Sequence, residues 1–184
     1  MGKVVYGFHV SLDGFIEDRS GGFDWFVPDE ALHRHHNEHE RDTGLHLYGR
    51  GLYDVMRFWA SPEQHGPVSE VEREYARYWQ RVPTTVYSRT LQSADPGVRI
   101  VREVDPAEVA RLAASTEGKL SLGGASLAAE FRRLGLIDEY WVYVVPIVVG
   151  GGKPMFQGEA REPLRLLATE QFASGTTLLR YERA

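Results

Sequence analysis

The chain has 184 residues, a formal net charge of −5, 42% hydrophobic and 26% charged residues, and no cysteine. That length fits one domain with a full core, and the absence of cysteine excludes disulfides, thiolate metal sites and a thiol nucleophile. The acidic balance leaves no electrostatic footprint for nucleic acid.

The amino terminus, MGKVVYGFHVSLDG, runs straight into patterned structure and is not a signal peptide. No apolar run reaches the length that spans a bilayer. The expectation is a soluble cytoplasmic protein. Residues 4–10, rich in β-branched and aromatic side chains, read as a buried strand. A loop carrying Gly14, Gly21 and Gly22 follows, and Pro28 opens a helix to about Arg41. LHLYG (45–49) is a strand, and Arg50 begins the next helix. Val68, Val71, Tyr75, Tyr78 and Val82 keep close to helical spacing over 67–81.

TTVYS (84–88) and VRIV (98–101) read as strands. Asp105, Pro106 and Glu108 then supply an N-cap, a first-turn proline and an N3 glutamate. A strand at 120–122 leads to a helix whose face is Leu127, Ala128, Phe131 and Leu134, closed by Gly135. Residues 140–149 form an almost unbroken apolar strand, and LRLLATEQFASGTTLLRYER folds as two strands about a Ser-Gly turn. Strands alternating with helices, then a closing hairpin, describe one α/β domain over 1–184. Its sheet is mostly parallel with antiparallel carboxyl-terminal strands.

Gly123 and Gly124 stand where a buried strand gives way to a helix. Gly124-Ala125-Ser126-Leu127-Ala128 is one residue from a G-x-S-x-G nucleophile elbow. A hydrolase of that kind needs its histidine after the serine, and every histidine here precedes Ser126. GGGKP (150–154) is no P-loop, because Pro154 stands where Ser or Thr must bind the metal. A G-x-G-x-x-G turn is absent.

Three strand tips remain: Gly49-Arg50, Ser88-Arg89-Thr90 and Gly123-Gly124-Ala125-Ser126. Each is read as a strand-to-helix junction with free backbone N–H groups and small residues that permit close approach. Arg50 and Arg89 add forks suited to phosphate. In a parallel sheet such tips gather at the ligand edge. Together they favour a phosphate-rich dinucleotide such as NADPH.

The segments VSLDGFIE (10–17), LYGRGLYDVM (47–56), VYSRTL (86–91), LGGASLAAEF (122–131) and GLIDEYWVYVVPIVVGGGKPMF (135–156) resemble, in order, the dihydrofolate reductase-like superfamily. The last segment looks most like the reductase domain of the bifunctional riboflavin-biosynthesis deaminase-reductase. The resemblance covers nearly the whole chain. It implies a three-layer fold with helices on both sheet faces and NADPH lying across the three tips. It also implies hydride transfer to a small heterocyclic or imine-type substrate, such as a ribosylaminouracil phosphate, and a homodimer. The zinc deaminase half needs cysteine ligands that this chain lacks. A folate-type reductase and a non-catalytic nucleotide- or drug-binding module are the alternatives.

Asp13 is either a turn aspartate or, by the resemblance, a carboxylate that anchors the substrate ring. Phe15 and Ile16 are expected to wall the nicotinamide from water. Trp25 and Glu30 resemble the tryptophan-to-acid spacing of folate reductases, although Glu30 equally suits a helix N-terminus, the reading favoured here. Asp24-Trp25 replaces the Pro-Trp of folate enzymes. His35, His36 and His39 in HRHHNEHE (33–40) do not form H-E-x-x-H and are assigned no metal. Trp59, Trp79 and Trp141 read as core or interface aromatics. Tyr140, Trp141 and Tyr143 crowd one strand and mark it as the expected homodimer surface.

Overall fold

The two most apolar segments of the sequence, VVYGFHV and EYWVYVV, pair in parallel in the interior of the sheet. The computed structural model describes residues 2–159 and 161–184. Its strands are β1 (Val4–Ser11), β2 (Phe15–Asp18), β3 (Thr43–Gly49), β4 (Thr84–Tyr87), β5 (Arg99–Val101), β6 (Lys119–Gly123), β7 (Glu139–Val145), β8 (Gly152–Pro154), β9 (Leu164–Gln171) and β10 (Thr177–Arg183). The α-helices are α1 (Glu30–Arg41), α2 (Arg50–Met56), α3 (Glu70–Trp79), α4 (Pro106–Ser115) and α5 (Ala125–Arg133).

The main sheet runs β5-β4-β3-β6-β1-β7-β10-β9. From β5 to β7 every pair is parallel, and β10 pairs antiparallel with β7 and β9. The expected fold class is therefore the observed one. Alternation along β1 sends Tyr6 and Val10 into a core with Val109 of α4 and Ala128 and Phe131 of α5. Val5 faces the opposite layer, where Leu32 of α1 packs with Trp141, Tyr143 and Leu178. Both sheet faces are covered, so the central strands are apolar on both faces along most of their length.

Caps fix the helix starts. Asp29 accepts the Leu32 N–H at 2.8 Å to open α1, two residues after Pro28. Ser69 and Glu72 form a full capping box on α3. Asp105 caps α4 as its sequence predicts.

Three expectations change. β7 stops at Val145, because Pro146 has no N–H to continue the ladder and the chain leaves the sheet. Within the stretch expected to be a loop after β1, β2 forms and pairs antiparallel with β8 beside the sheet. No helix follows β4; residues 88–98 form a loop into β5. Among the described residues no helix is long and apolar enough to cross a membrane.

Candidate functional site

β3, β4 and β6 are parallel neighbours, so their carboxyl ends finish side by side. Gly49, Arg50, Ser88, Arg89, Gly124, Ala125 and Ser126 line one groove of ≈ 690 Å³, joined by Arg102 from beyond β5 and Lys153 from β8. Gly123 faces a neighbouring cavity instead. The structure thus brings three separate sequence tips to one place.

The glycine pair answers first to packing. A Cβ on Gly123 would lie 2.0 Å from Leu52 Cδ2. Gly124 has φ +104°, and a Cβ there would come within 3.3 Å of the Gly49 Cα and N. The β3 and β6 tips therefore touch backbone to backbone, which puts their small residues at the wall of the groove.

Polar groups tie the third tip. Ser88 Oγ accepts the N–H groups of Thr90 and Leu91 at 3.3 and 3.0 Å. Arg102 Nη1 donates to the carbonyls of Ser88 and Leu91, both at 2.7 Å. Arg50 Nη1 donates to Thr90 Oγ1 at 3.0 Å, linking the β3 and β4 tips. Arg89 is exposed and makes no hydrogen bond or ion pair among the described residues. Ser126 Oγ donates to Gln157 at 3.1 Å. Four cationic side chains face the groove against Glu103 and Glu130.

Gly51, Leu52, Gly124 and Lys153 are shared with a second cavity of ≈ 240 Å³. Its wall is aromatic: Phe8, Phe23, Trp25 and Phe26, with Ile16 and Met56. Lys153 Nζ is bonded to Glu17 at 2.8 Å. A third cavity of ≈ 300 Å³ lies behind it, sharing Phe8, His9, Leu52 and Met56.

His9 stands between these two cavities. Its Nε2 lies 3.0 Å from Nε2 of His36 on α1, and its ring stacks on Phe26 at 4.1 Å between centroids. Burial lowers the pKa of His9 to about 3 and holds His36 well below the ordinary imidazole value. Both rings are therefore neutral at pH 7. His35 Nε2 meets Tyr143 Oη at 3.2 Å. Among the described residues no group of three His, Asp or Glu side chains is arranged to hold a metal.

Other expected site residues fall elsewhere. Asp13 is exposed, and its carboxylate accepts the N–H groups of Val149 at 3.2 Å and Gly150 at 2.8 Å. The Ser11 hydroxyl, then these amides, hold its carboxyl below the usual carboxylate range. It latches the glycine loop, as a turn aspartate would, and is not among the cavity's lining residues. Glu30 is exposed and paired with Arg34 at 2.5 Å, so the folate-type acid is not in the cavity. Phe15 sits against Pro154 in the β2–β8 pair, and Ile16 takes the wall position. Trp25 lines the cavity.

Sequence reasoning missed His9, Arg102 and Lys153. For His9 the signal was available: an imidazole in mid-strand, in phase with Val5 and Gly7. Arg102 lay just past a short strand with no motif around it.

The model of the RibD C-terminal domain matches residues 2–178. The uncharacterized Bacillus subtilis proteins YyaP and YwjB are each 31% identical, over 97% and 99% of this chain and 94% and 98% of theirs. Acinetobacter baumannii RibD superposes with a TM-score of 0.68 at 19% identity, over all of this chain and 58% of that one. Dihydrofolate reductase from Enterococcus faecalis, solved with NADP(H), gives 0.66 at 15% identity, covering 99% and 96%.

Proposed function

The chain belongs to the RibD C-terminal domain family, and from that premise we propose that it is an NADPH-dependent reductase acting on a small ring substrate. The observation that carries this reading is the continuity of two unlike spaces. A groove bearing Arg50, Arg89 and Arg102 opens, at Gly51, Leu52 and Gly124, into an aromatic cavity. A dinucleotide phosphate needs charge-assisted donors and close backbone approach, and a nicotinamide and its partner ring need a dry apolar slot.

The residues present fit the cofactor. The Gly49–Gly124 contact keeps that part of the junction of groove and cavity to bare backbone. Arg89 has no partner among the described residues, and Arg50 is anchored only through Thr90 and an exposed contact of 3.6 Å to Asp54. When bound, NADPH would supply a hydride from its nicotinamide. The chain's own residues bind, orient and exclude water. Arg50 and Arg89 would hold the adenosine 2′-phosphate, Leu52 and Met56 would separate the ring from solvent, and Trp25 and Phe26 would stack on the acceptor.

The titratable groups that line the cavity are engaged, Glu17 with Lys153 at 2.8 Å and His9 with His36 at 3.0 Å, so the proton for the acceptor would come from water. The exposed position of Glu30 removes the observation that would have favoured folate. Steady NADPH oxidation with pterins, ribosylaminopyrimidines and quinones tests the proposal. A protein that binds no NADPH and oxidises none with any of them would contradict it.

A further inference from the structure

We infer that the cavity beside the groove takes an uncharged planar aromatic or quinone-type ring carrying neither sugar nor phosphate, with His9 as its hydrogen-bond partner. The inference rests on the reductase reading for calling this cavity the acceptor site. Charge on the two sides of Gly124 is divided sharply. Arg50, Arg89 and Arg102 all face the groove and none lines the cavity. The cavity's one cation, Lys153, is neutralised by Glu17 at 2.8 Å, and a second anion placed there would also face that carboxylate.

A phosphate moved out of water needs unengaged cationic donors around it. The cavity wall offers none among the described residues. It also lacks any Ser, Thr, Tyr, Asn or Gln side chain, so ribose hydroxyls would have only Glu17, already bonded to Lys153, and His9, already bonded to His36, to replace their water. What the wall does offer is flat apolar surface from Phe8, Trp25 and Phe26. Its ≈ 240 Å³ lies below the roughly 300–1,000 Å³ of pockets for drug-sized ligands, which suits one ring system and not a tailed one.

His9 supplies the polar contact. Its Nε2 is committed to His36 at 3.0 Å, which leaves Nδ1 as the ring's other hydrogen-bonding atom. Two neutral imidazoles meeting Nε2 to Nε2 share a single proton there. When His36 donates, His9 carries its own proton on Nδ1 and can donate to a carbonyl. When His9 donates, Nδ1 is bare and can accept from a ring N–H. The pair therefore reads either edge without a change in net charge.

The test uses the full chain loaded with NADP+, so that binding is read without turnover. Calorimetry compares 1,4-naphthoquinone, 5-amino-6-(5-phosphoribosylamino)uracil and the dephosphorylated riboside. The quinone is expected to bind at least about tenfold more tightly than either uracil, and the phosphate to give the riboside no advantage. Glu17→Gln, which frees Lys153, should improve the phosphorylated compound relative to the quinone by about tenfold. His9→Leu should weaken the quinone while its melting curve stays cooperative; if that variant does not fold, Glu17→Gln still decides. A phosphorylated compound that outbinds its riboside in the wild type, or no relative gain in Glu17→Gln, overturns the inference. Failure of NADP+ to bind, with the quinone still seated, would sink the reductase reading and leave this one standing.

Discussion

His9 on β1 and His36 on α1 face each other through their Nε2 atoms at 3.0 Å, inside a layer where burial keeps imidazoles neutral. This relationship makes folding sensitive to pH. Unfolded imidazoles take up protons near pH ~6.5, whereas folded His9 does so only near about 3. Between those values the unfolded chain binds more protons, so stability rises with pH. The contribution is fully present above pH ~6.5 and is lost as pH falls toward ~3. Moving from pH ~7.5 to ~5 should cost about 2 kcal/mol through His9 alone. Urea unfolding at the two pH values measures it, and equal midpoints would contradict the assignment.

Asp13 is expected to be a latch. Its carboxylate receives the Val149 and Gly150 N–H groups, and an amide in its place cannot accept as well with both heteroatoms. Asp13→Asn should lower the melting temperature while NADPH affinity and turnover per folded molecule stay at wild-type values. A loss of turnover at unchanged melting temperature would return Asp13 to the substrate site.

Gly124 joins the β3 and β6 tips in a conformation that side chains avoid, with φ +104°. Gly124→Ala should destabilise the fold by about 1–3 kcal/mol, read from the shift of the urea midpoint. Gly51, with open space where a Cβ would stand, serves as the control: Gly51→Ala should change stability little. Equal effects at the two positions would show that the tip contact is not what needs the glycine.

Tyr140, Trp141 and Tyr143, on the strand near which a homodimer surface was expected, are buried within the sheet of the single chain and offer little area to a partner. β9 is the better surface. It is a sheet edge whose eight residues are all exposed, Leu166 half so, and an unpaired edge of this kind is a template for pairing with another chain. We propose that two copies pair along β9, where an antiparallel arrangement would set Arg165 against Glu170. Light scattering should give twice the chain mass, and Leu166→Glu should return it to one. A wild-type monomer at micromolar concentration would refute this.

Much of this was legible in the sequence. The central strands announced themselves by unbroken apolar runs, and the cap at Asp105 by local chemistry. The three tips were found because Gly, Ser and Arg after a strand carry their meaning locally. The β2–β8 pair was hidden, because it joins two very short segments far apart in the sequence. Asp13 and Glu30 were ambiguous in the sequence, because a carboxylate beside a turn or helix start looks the same whether it binds a ring or a backbone amide. The charge division between groove and cavity depends on Lys153 meeting Glu17 across that hidden pair.

The central claim is that the groove between the β3, β4 and β6 tips holds NADPH through Arg50 and Arg89. Calorimetric titration of NADPH and NADH into the wild type, Arg50→Ala and Arg89→Ala tests it most directly. A charge-assisted hydrogen bond contributes about 1.5–3 kcal/mol, and both arginines are exposed, so each substitution should weaken NADPH about tenfold. NADH should bind the wild type less tightly and lose little in either variant. No NADPH binding by the wild type, or equal losses for the two nucleotides, would contradict the account.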